Sequence, residues 1–372
     1  MATGEADVAL GGDQAGSVRI PAALCGVVRL KPTFGLVPCT GTLAFHHCVD
    51  HVGPLTRTVA ENAQVLSVIA GPDGSDSRQF HSYDRHTDDN ELGHYTKEIE
   101  DGIRGFRIGL LKEGFELPHS DSQVLSLVER VLETALPQLG ATLTMVSIPE
   151  HVGLARHIAT GMYEGDVVCA ILQNFTHFGH SDPGIPGLAE HFGRALREQS
   201  NAALPPLWRK LLLFSECVAE RRARGDLYTK AQRLRPTLRR AYDRVFSGGA
   251  DGVDALVMPT VTCTAHAHPL SIPNQSTEVE QIPTASEMTQ ETPVSLECTR
   301  LRREWRAIDL NGRDWNTVPF NLTGHPALTL PCGWIAECEG EFPVGLQLVV
   351  PHWQERNLYR IAQKIEDYLN ST

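Results

Sequence analysis

A serine within a glycine-rich stretch is the feature of this sequence with the clearest chemical potential. The stretch GGDQAGSVRIPAA occupies residues 11–23, with Ser17 near its middle. Small residues such as Ala15 and Gly16 allow the backbone to approach a ligand closely. Successive N–H groups from Gln14 to Ser17 can converge on one point and bind an anion, as the oxyanion of a tetrahedral acyl intermediate requires. The pattern is therefore compatible with a nucleophilic serine.

The same residues also have a simpler interpretation. Most serines in glycine-rich turns only hydrogen-bond to their own loop. The window from Ala15 to Arg19 also lacks both glycines of the G-x-S-x-G turn that presents the nucleophile in α/β-hydrolases. Residue types alone leave a catalytic role and a purely local role for Ser17 open.

The segment that follows residue 105 predicts a strand, a helix and a second strand. Residues 106–111 (FRIGLL) and 142–148 (TLTMVSI) are short runs typical of strands. Asp121 can cap the helix between them, and Gly140 can end it. The apolar residues of this helix recur at the spacing of one helix face: Val124, Leu127, Val128, Val131, Leu132, Ala135 and Leu136. Short links between these elements predict a βαβ unit with a parallel strand pair.

The remaining elements predict a single α/β domain over residues 1–372. Apolar runs predict strands at residues 254–260, 327–331 and 344–350. Helices are predicted at residues 206–223, 227–246 and 354–369. Pro236 is expected to kink or restart the second of these helices. Polar loop insertions are expected near residues 71–101 and 274–299.

Composition restricts the classes of function open to the chain. Of its 372 residues, 41% are hydrophobic and 21% are charged, which allows a sizeable core. The net charge of −12 argues against nucleic acid as a main partner, because backbone binding needs a basic patch. No apolar run is long enough for a transmembrane helix, and no secretory signal is visible. The nine scattered cysteines fit a reducing cytosol, so we expect a cytoplasmic protein that binds neither nucleic acid nor membrane.

Several segments in a fixed order carry a resemblance that covers nearly the whole chain. GGDQAGSVRIPAALCGVVRLKPTFGLVP resembles the core of the amidase signature family, in which a serine in a G-S-[IVL]-R-x-P-A context is the nucleophile. The match continues through DHVGPLTRTVAENAQVLSVIAG, FRIGLLKEGF, DALVMPT, NTVPFNLTGHPALTLPCG and PVGLQLVVPHWQERNLYRIA. The resemblance implies a three-layer α/β/α sandwich around a mixed sheet. Asp13 followed by Gln14 looks most like bacterial and fungal amidases that act on small aliphatic or aromatic amides.

The resemblance assigns roles to four residues of the serine loop. It implies that Ser17 is the nucleophile that accepts the acyl group. It places the backbone N–H groups of Gln14, Ala15, Gly16 and Ser17 in the oxyanion hole, and it implies contact between Gln14 and substrate. Ala15 replaces the more usual glycine, and a methyl group is tolerated there unless the backbone needs a positive φ.

Two charged residues of the same segment are assigned supporting roles. The resemblance implies that Asp13 and Arg19 form a buried pair that braces the loop. An aspartate and an arginine this close in sequence often pair without any direct part in the chemistry. We therefore expect both residues to position the loop rather than to react.

The family activates its serine through a relay to a second serine and a lysine. The resemblance places the second serine roughly two dozen residues before the nucleophile, and the lysine roughly a hundred before it. Ser17 has only sixteen residues ahead of it, and Lys31 belongs to the LKPT segment, which the family uses structurally. We therefore expect a chain that lacks the N-terminal portion of the family fold and has impaired activity.

Histidines and cysteines are weaker candidates for chemistry. The histidines that lie close together form two groups: His46, His47 and His51, and the His-x-His pair His266 and His268. A metal site needs further ligands and supporting hydrogen bonds, so we predict no metal and no organic cofactor. Cys25 lies in the apolar stretch ALCGVV, where a buried structural thiol is expected.

These observations predict an amidase that hydrolyses a carboxylic amide to an acid and ammonia or an amine through an acyl-enzyme. The expected partner is a small-molecule amide, and a homodimer is one candidate assembly. Two alternatives remain open: the amidase subunit of a tRNA-dependent amidotransferase, and a non-catalytic remnant that binds amides or a partner. Gln14, where many members have threonine, argues against the first, whereas the absent lysine favours the second.

Overall fold

One mixed sheet forms the centre of the fold. The computed structural model describes residues 1–42, 46–79, 94–172, 226–249, 252–265, 314–337 and 340–372, together with residues 194 and 198. In these ranges the strands lie in the order β1-β3-β2-β7-β8-β6-β4-β5. They are β1 (Ala9–Asp13), β2 (Val28–Lys31), β3 (His51–Thr56), β4 (Arg107–Leu111), β5 (Thr142–Val146), β6 (Ala255–Pro259), β7 (Ala327–Glu337) and β8 (Gly340–Val349).

The helices of the described ranges pack on this sheet and on one another. They are α1 (Arg19–Cys25), α2 (Val59–Ile69), α3 (Lys112–Phe115), α4 (Ser122–Gln138), α5 (Gly153–Leu172), α6 (Asp226–Phe246), α7 (Val318–Thr323) and α8 (Glu355–Ser371). None of these helices is long and apolar enough to cross a membrane.

The βαβ unit predicted from the sequence is confirmed. The side chain of Asp121 accepts a hydrogen bond from the N–H of Gln123 at 2.8 Å and so caps α4. Every residue of the predicted apolar face of α4 is buried, and Gly140 follows the helix with a φ of 78°. The two strands that flank this helix, β4 and β5, pair in parallel. Local periodicity is sufficient here because all three elements are adjacent in the chain.

Helices cover both faces of the sheet, as the predicted three-layer arrangement requires. A Cβ added to Gly345 of β8 would overlap Ala23 of α1, so the backbones of α1 and β8 approach closely. A Cβ on Gly333 of β7 would instead meet Leu127 of α4. Gly333 pairs with Val344, and successive residues of a strand point to opposite faces. The helices α1 and α4 therefore lie on opposite faces of the sheet.

Three sequence expectations differ from the structure. The helix α6 is continuous through Pro236, where a kink or restart was expected. Its buried residues Leu238 and Tyr242 belong to the core, and α6 packs against α5, which offsets the hydrogen bond that proline cannot make. The strands β7 and β8 are longer than expected and pair with each other in antiparallel fashion. The elements β1, β2, β3, α1 and α2 were not predicted, and the expected helix at 206–223 and loop at 274–299 lie outside the described residues.

Candidate active site

The loop between β1 and α1 presents Ser17 at the surface. The strand ends at Asp13 and the helix begins at Arg19, so the turn between them carries the serine. Gly16 has a φ of 110°, a conformation that residues with a side chain rarely adopt. A Cβ at this position would also overlap the side chain of Thr317. The turn therefore requires glycine at position 16, while the side chain of Ser17 remains exposed.

Asp13 and Arg19 form a fully buried ion pair beneath this turn. Arg19 Nε lies 2.9 Å from Asp13 Oδ2, and Arg19 Nη2 lies 3.1 Å from Asp13 Oδ1. Both side chains have no exposed surface. Burial alone would raise the pKa of Asp13, but the charge and hydrogen bonds of Arg19 outweigh it and hold the pKa well below its usual value. The pair is therefore ionised and joins the two ends of the turn.

Arg19 also binds residues from the far end of the chain. Its Nη1 donates to Gln347 Oε1 at 2.8 Å, and its Nη2 donates to the carbonyl oxygen of Thr317 at 3.0 Å and to Asn321 Oδ1 at 2.5 Å. The amide nitrogen of Asn321 donates in turn to Asp13 Oδ1 at 2.9 Å. Strand β8, helix α7 and the residue before it are thus tied to the serine loop through one guanidinium group.

Two side chains fix the direction of the loop carbonyls. Thr317 Oγ1 donates to the carbonyl oxygen of Ala15 at 2.7 Å, and the Tyr163 hydroxyl donates to the carbonyl oxygen of Gln14. In a trans peptide the C=O and the following N–H point in opposite directions. Fixing these two carbonyls therefore also fixes the N–H groups of the two residues that follow them.

The structure gives Gly16 a different role from the one expected. Its N–H donates to Asp13 Oδ1 at 2.8 Å, so it is held by the carboxylate, and the contribution of Gly16 is the turn itself. In the part of the chain that the structure describes, the N–H groups of Gln14, Ala15 and Ser17 have no protein acceptor. These three donors remain candidates for an oxyanion hole.

The Ser17 hydroxyl has no base among its described partners. It donates to Gln14 Oε1 at 3.4 Å, and an amide oxygen does not take up a proton at neutral pH. Lys31 is fully buried, and its Nζ donates to the carbonyl oxygen of Pro32 at 2.8 Å. Burial first, and then the charge of Arg19, lower the pKa of Lys31 well below its usual value. Lys31 thus belongs to the interior of the fold.

The histidine and cysteine candidates from the sequence form no described hydrogen bond with Ser17. His51 pairs with Asp13 in the β1–β3 register, but its Nδ1 contacts the carbonyl oxygen of Val49 at 2.6 Å. The expectation of a buried thiol at Cys25 is wrong, because Cys25 is exposed at the end of α1. The buried side of this short helix is formed by Arg19, Ala22 and Ala23 instead. His266 and His268 lie outside the described residues.

Four residues of the site were not singled out from the sequence. They are Tyr163, Thr317, Asn321 and Gln347, which contact the loop or Arg19. Thr317 and Asn321 lie in the segment NTVPFNLTG, and Gln347 lies in PVGLQLVV, both of which carry the family resemblance. A polar residue at a buried position of such a segment is the signal that could have indicated them, because buried polar groups need partners.

A second buried polar cluster extends this network. The amide nitrogen of Asn316 donates to the carbonyl oxygens of Gly114 and Pro259 at 2.9 and 2.7 Å. Its Oδ1 therefore accepts from His151 Nε2 at 2.9 Å, and His151 Nδ1 is left to accept from the Tyr242 hydroxyl at 2.6 Å. This arrangement requires a neutral imidazole, and burial lowers the pKa of His151 to about 4.

We expect this cluster to make stability depend on pH. Below the ordinary pKa of 6.5 the unfolded chain binds a proton at His151 that the folded chain excludes, so stability falls as the pH drops from 6.5 towards 4. The full shift corresponds to about 3 kcal/mol. Urea unfolding across this pH range should show that the free energy of unfolding of His151→Gln depends less steeply on pH than that of the unsubstituted chain. The control His157→Gln, at an exposed position of α5, should leave this pH dependence unchanged. The same pH dependence in all three proteins would refute the role of His151.

Comparisons with known proteins agree with the fold and show the family of the chain. The peptide amidase of Stenotrophomonas maltophilia is 26% identical, with a TM-score of 0.66 over 99% of this chain and 63% of that one. A family model described as Amidase matches residues 1–295, so the chain belongs to the Amidase family. Curated relatives that are named as a subunit of glutamyl-tRNA(Gln) amidotransferase are 29% identical in Halothermothrix orenii and 30% identical in Synechococcus sp..

The alignments cover nearly all of this chain but only part of each relative. The match to the Halothermothrix orenii protein takes in 100% of this chain and 66% of the relative, and the match to the Synechococcus sp. protein takes in 98% and 64%. The chain thus spans about two thirds of the length of the curated relatives that it matches.

Proposed function

We propose that Ser17 is the nucleophile of an amide-hydrolysing site. The observation that carries this proposal is the exposed Ser17 hydroxyl on a turn in which the hydrogen bond from Tyr163 to the carbonyl oxygen of Gln14 fixes the direction of the Ala15 N–H. Donors fixed in this way stabilise a developing oxyanion without reorganising during the reaction. Membership of the Amidase family supports the same assignment.

The reaction would proceed in two stages. Ser17 Oγ attacks the amide carbonyl carbon and loses its proton to a base, while the carbonyl oxygen accepts hydrogen bonds from N–H groups such as those of Ala15 and Ser17. The C–N bond then breaks, the amine leaves with a proton, and water hydrolyses the serine ester. Asp13 and Arg19 hold the loop and do not react, because both are fully buried.

The base is the component that the described partners of Ser17 do not supply. Its hydroxyl contacts the amide oxygen of Gln14. The relay implied by the family resemblance supplies the base through a second serine and a lysine that precede the nucleophile. We therefore expect no turnover above background from the 372-residue chain by itself, and turnover from a form that carries such a relay segment ahead of residue 1.

A small carboxylic amide is the proposed substrate class. A second candidate function is that of an amidase component that works with partner subunits. This candidate is favoured by the relatives named for glutamyl-tRNA(Gln) amidotransferase. Ammonia release from simple amides by the form that carries the relay segment, purified without partners, supports the first function, whereas activity that requires a copurified partner supports the second.

Labelling with a fluorophosphonate tests the proposal directly. An activated serine attacks this reagent, and mass spectrometry identifies the residue that is modified. We expect modification of Ser17 in the form that carries the relay segment, none in its Ser17→Ala variant, and normal modification in Ser122→Ala, a matched exposed serine at the start of α4. An unmodified Ser17 in an active protein would overturn the proposal. An unmodified Ser17 in an inactive protein would also overturn it and would favour the alternative of a non-catalytic remnant.

A further inference from the structure

A second group of reactive side chains converges from three separate elements. Asp243 lies on α6, His325 lies before β7, and His352 lies between β8 and α8. One ligand atom from each lies within 4.8 Å of the others, and no other such group occurs among the described residues. His325 is fully buried, whereas Asp243 is 43% exposed, so the cluster opens to the surface on one side.

Thr323 forms hydrogen bonds with both imidazole rings. His352 Nε2 lies 3.0 Å from the carbonyl oxygen of Thr323, which can only accept, so this nitrogen carries a hydrogen. The hydroxyl of Thr323 donates to the carbonyl oxygen of Pro319 at 3.0 Å. Its oxygen lies 2.9 Å from His325 Nδ1. The ring nitrogens that face away from Thr323 are His325 Nε2 and His352 Nδ1.

Both of these ring nitrogens face the same carboxylate oxygen. His325 Nε2 lies 3.1 Å from Asp243 Oδ1, within hydrogen-bonding distance, and His352 Nδ1 lies 4.0 Å from it. The two ring nitrogens and the carboxylate oxygen are all groups that ligate a divalent cation.

We propose that Asp243, His325 and His352 bind one divalent transition-metal ion, with zinc as the best match. Two ligand atoms on a tetrahedral zinc lie about 3.4 Å apart, and the distances of 3.1 and 4.0 Å lie on either side of this value. Thr323 supplies the supporting hydrogen bonds that orient ligating histidines. Solvent completes the tetrahedron on the exposed side of Asp243.

The ion would join parts of the chain that position the serine loop. It links α6 to His325, two residues after the end of α7, and to the turn after β8, and α7 carries Asn321, which binds Arg19. Arg239 Nε lies 3.7 Å from Asp243 Oδ2, so it contacts the carboxylate oxygen that does not face the rings. The sequence analysis predicted no metal and did not single out these three residues, which share no local motif.

Metal titration of the intact chain, without a polyhistidine tag, tests this site. Zn²⁺ is titrated by calorimetry into chelator-treated protein, and Co²⁺ is titrated with detection of its visible absorption. We expect one equivalent of Zn²⁺ to bind, a cobalt spectrum of tetrahedral nitrogen and oxygen coordination, and a higher Tm with Zn²⁺ than without it. Asp243→Asn and His352→Gln should each weaken binding at least about tenfold and remove the rise in Tm.

The test needs a control variant and a check that each variant is folded. His119→Gln, at an exposed histidine, should bind Zn²⁺ like the unsubstituted chain, and circular dichroism should show each variant folded before titration. Absence of stoichiometric Zn²⁺ binding to the unsubstituted chain would overturn the proposal. Unchanged binding in either Asp243→Asn or His352→Gln would overturn it as well, because the ion would then lie elsewhere.

Discussion

Replacing Ser17 by alanine is expected to abolish amide hydrolysis in a form of the protein that carries the relay segment. The acyl-enzyme cannot form without the hydroxyl, and losses of a nucleophile lower turnover on the order of a thousandfold or more. The side chain is exposed, and its one described hydrogen bond is to Gln14, so folding should be unaffected. The measurement is ammonia release from aliphatic and aromatic amides, together with urea unfolding of both proteins.

Two control measurements are needed to interpret this result. Ser122→Ala removes an equally exposed serine hydroxyl from another surface of the fold and should retain full turnover. The 372-residue chain without the relay segment should show background hydrolysis with or without Ser17. Robust turnover in Ser17→Ala would place the nucleophile elsewhere, and robust turnover of the 372-residue chain would mean that a group within it has become the base.

Replacing Arg19 by methionine is expected to lower the free energy of unfolding by about 3–5 kcal/mol. The substitution keeps much of the side-chain volume but leaves the Asp13 carboxylate charged, fully buried and without its partner. It also removes the donors to Gln347 Oε1 and Asn321 Oδ1. Because domains are stable by only about 5–15 kcal/mol, the loss should be evident in the midpoint of urea unfolding.

An exposed pair of the same residue types provides the matched control. Arg57 Nη2 lies 2.7 Å from Asp7 Oδ1, but the two side chains are 43% and 89% exposed. Arg57→Met should therefore change the midpoint little, since exposed ion pairs contribute little to stability. In the double variant Asp13→Asn/Arg19→Met the loss should be smaller than in Arg19→Met, because no buried charge remains. A loss in Arg19→Met no larger than that in Arg57→Met would refute the bracing role.

Features set by neighbours in the chain could be predicted from the sequence. The unit formed by β4, α4 and β5 follows from the apolar spacing of α4 and from the capping side chain of Asp121, which are both local. The serine turn was recognised for a similar reason, since Asp13, Gly16, Ser17 and Arg19 lie within a few residues. Local geometry alone brings these groups together, whereas the family resemblance, and not their residue types, indicated the chemistry.

Tertiary packing determined where the groups of the turn point. The N–H of Gly16 donates to Asp13 instead of facing the surface, and Thr317 holds the carbonyl of Ala15 from 302 positions away. Periodicity states which face of an element is buried, but it does not state which distant element covers that face. The partners of a buried polar group therefore depend on the assembled sheet.

The cluster of Asp243, His325 and His352 depends on the assembled fold in the same way. Each residue appears ordinary in its own segment, and α6, the start of β7 and the end of β8 must pack together before their ligand atoms converge. The sequence by itself therefore determined the serine loop and the α/β class. The tertiary structure decided the bracing of that loop and the second site, because both are made from contacts between residues remote in the chain.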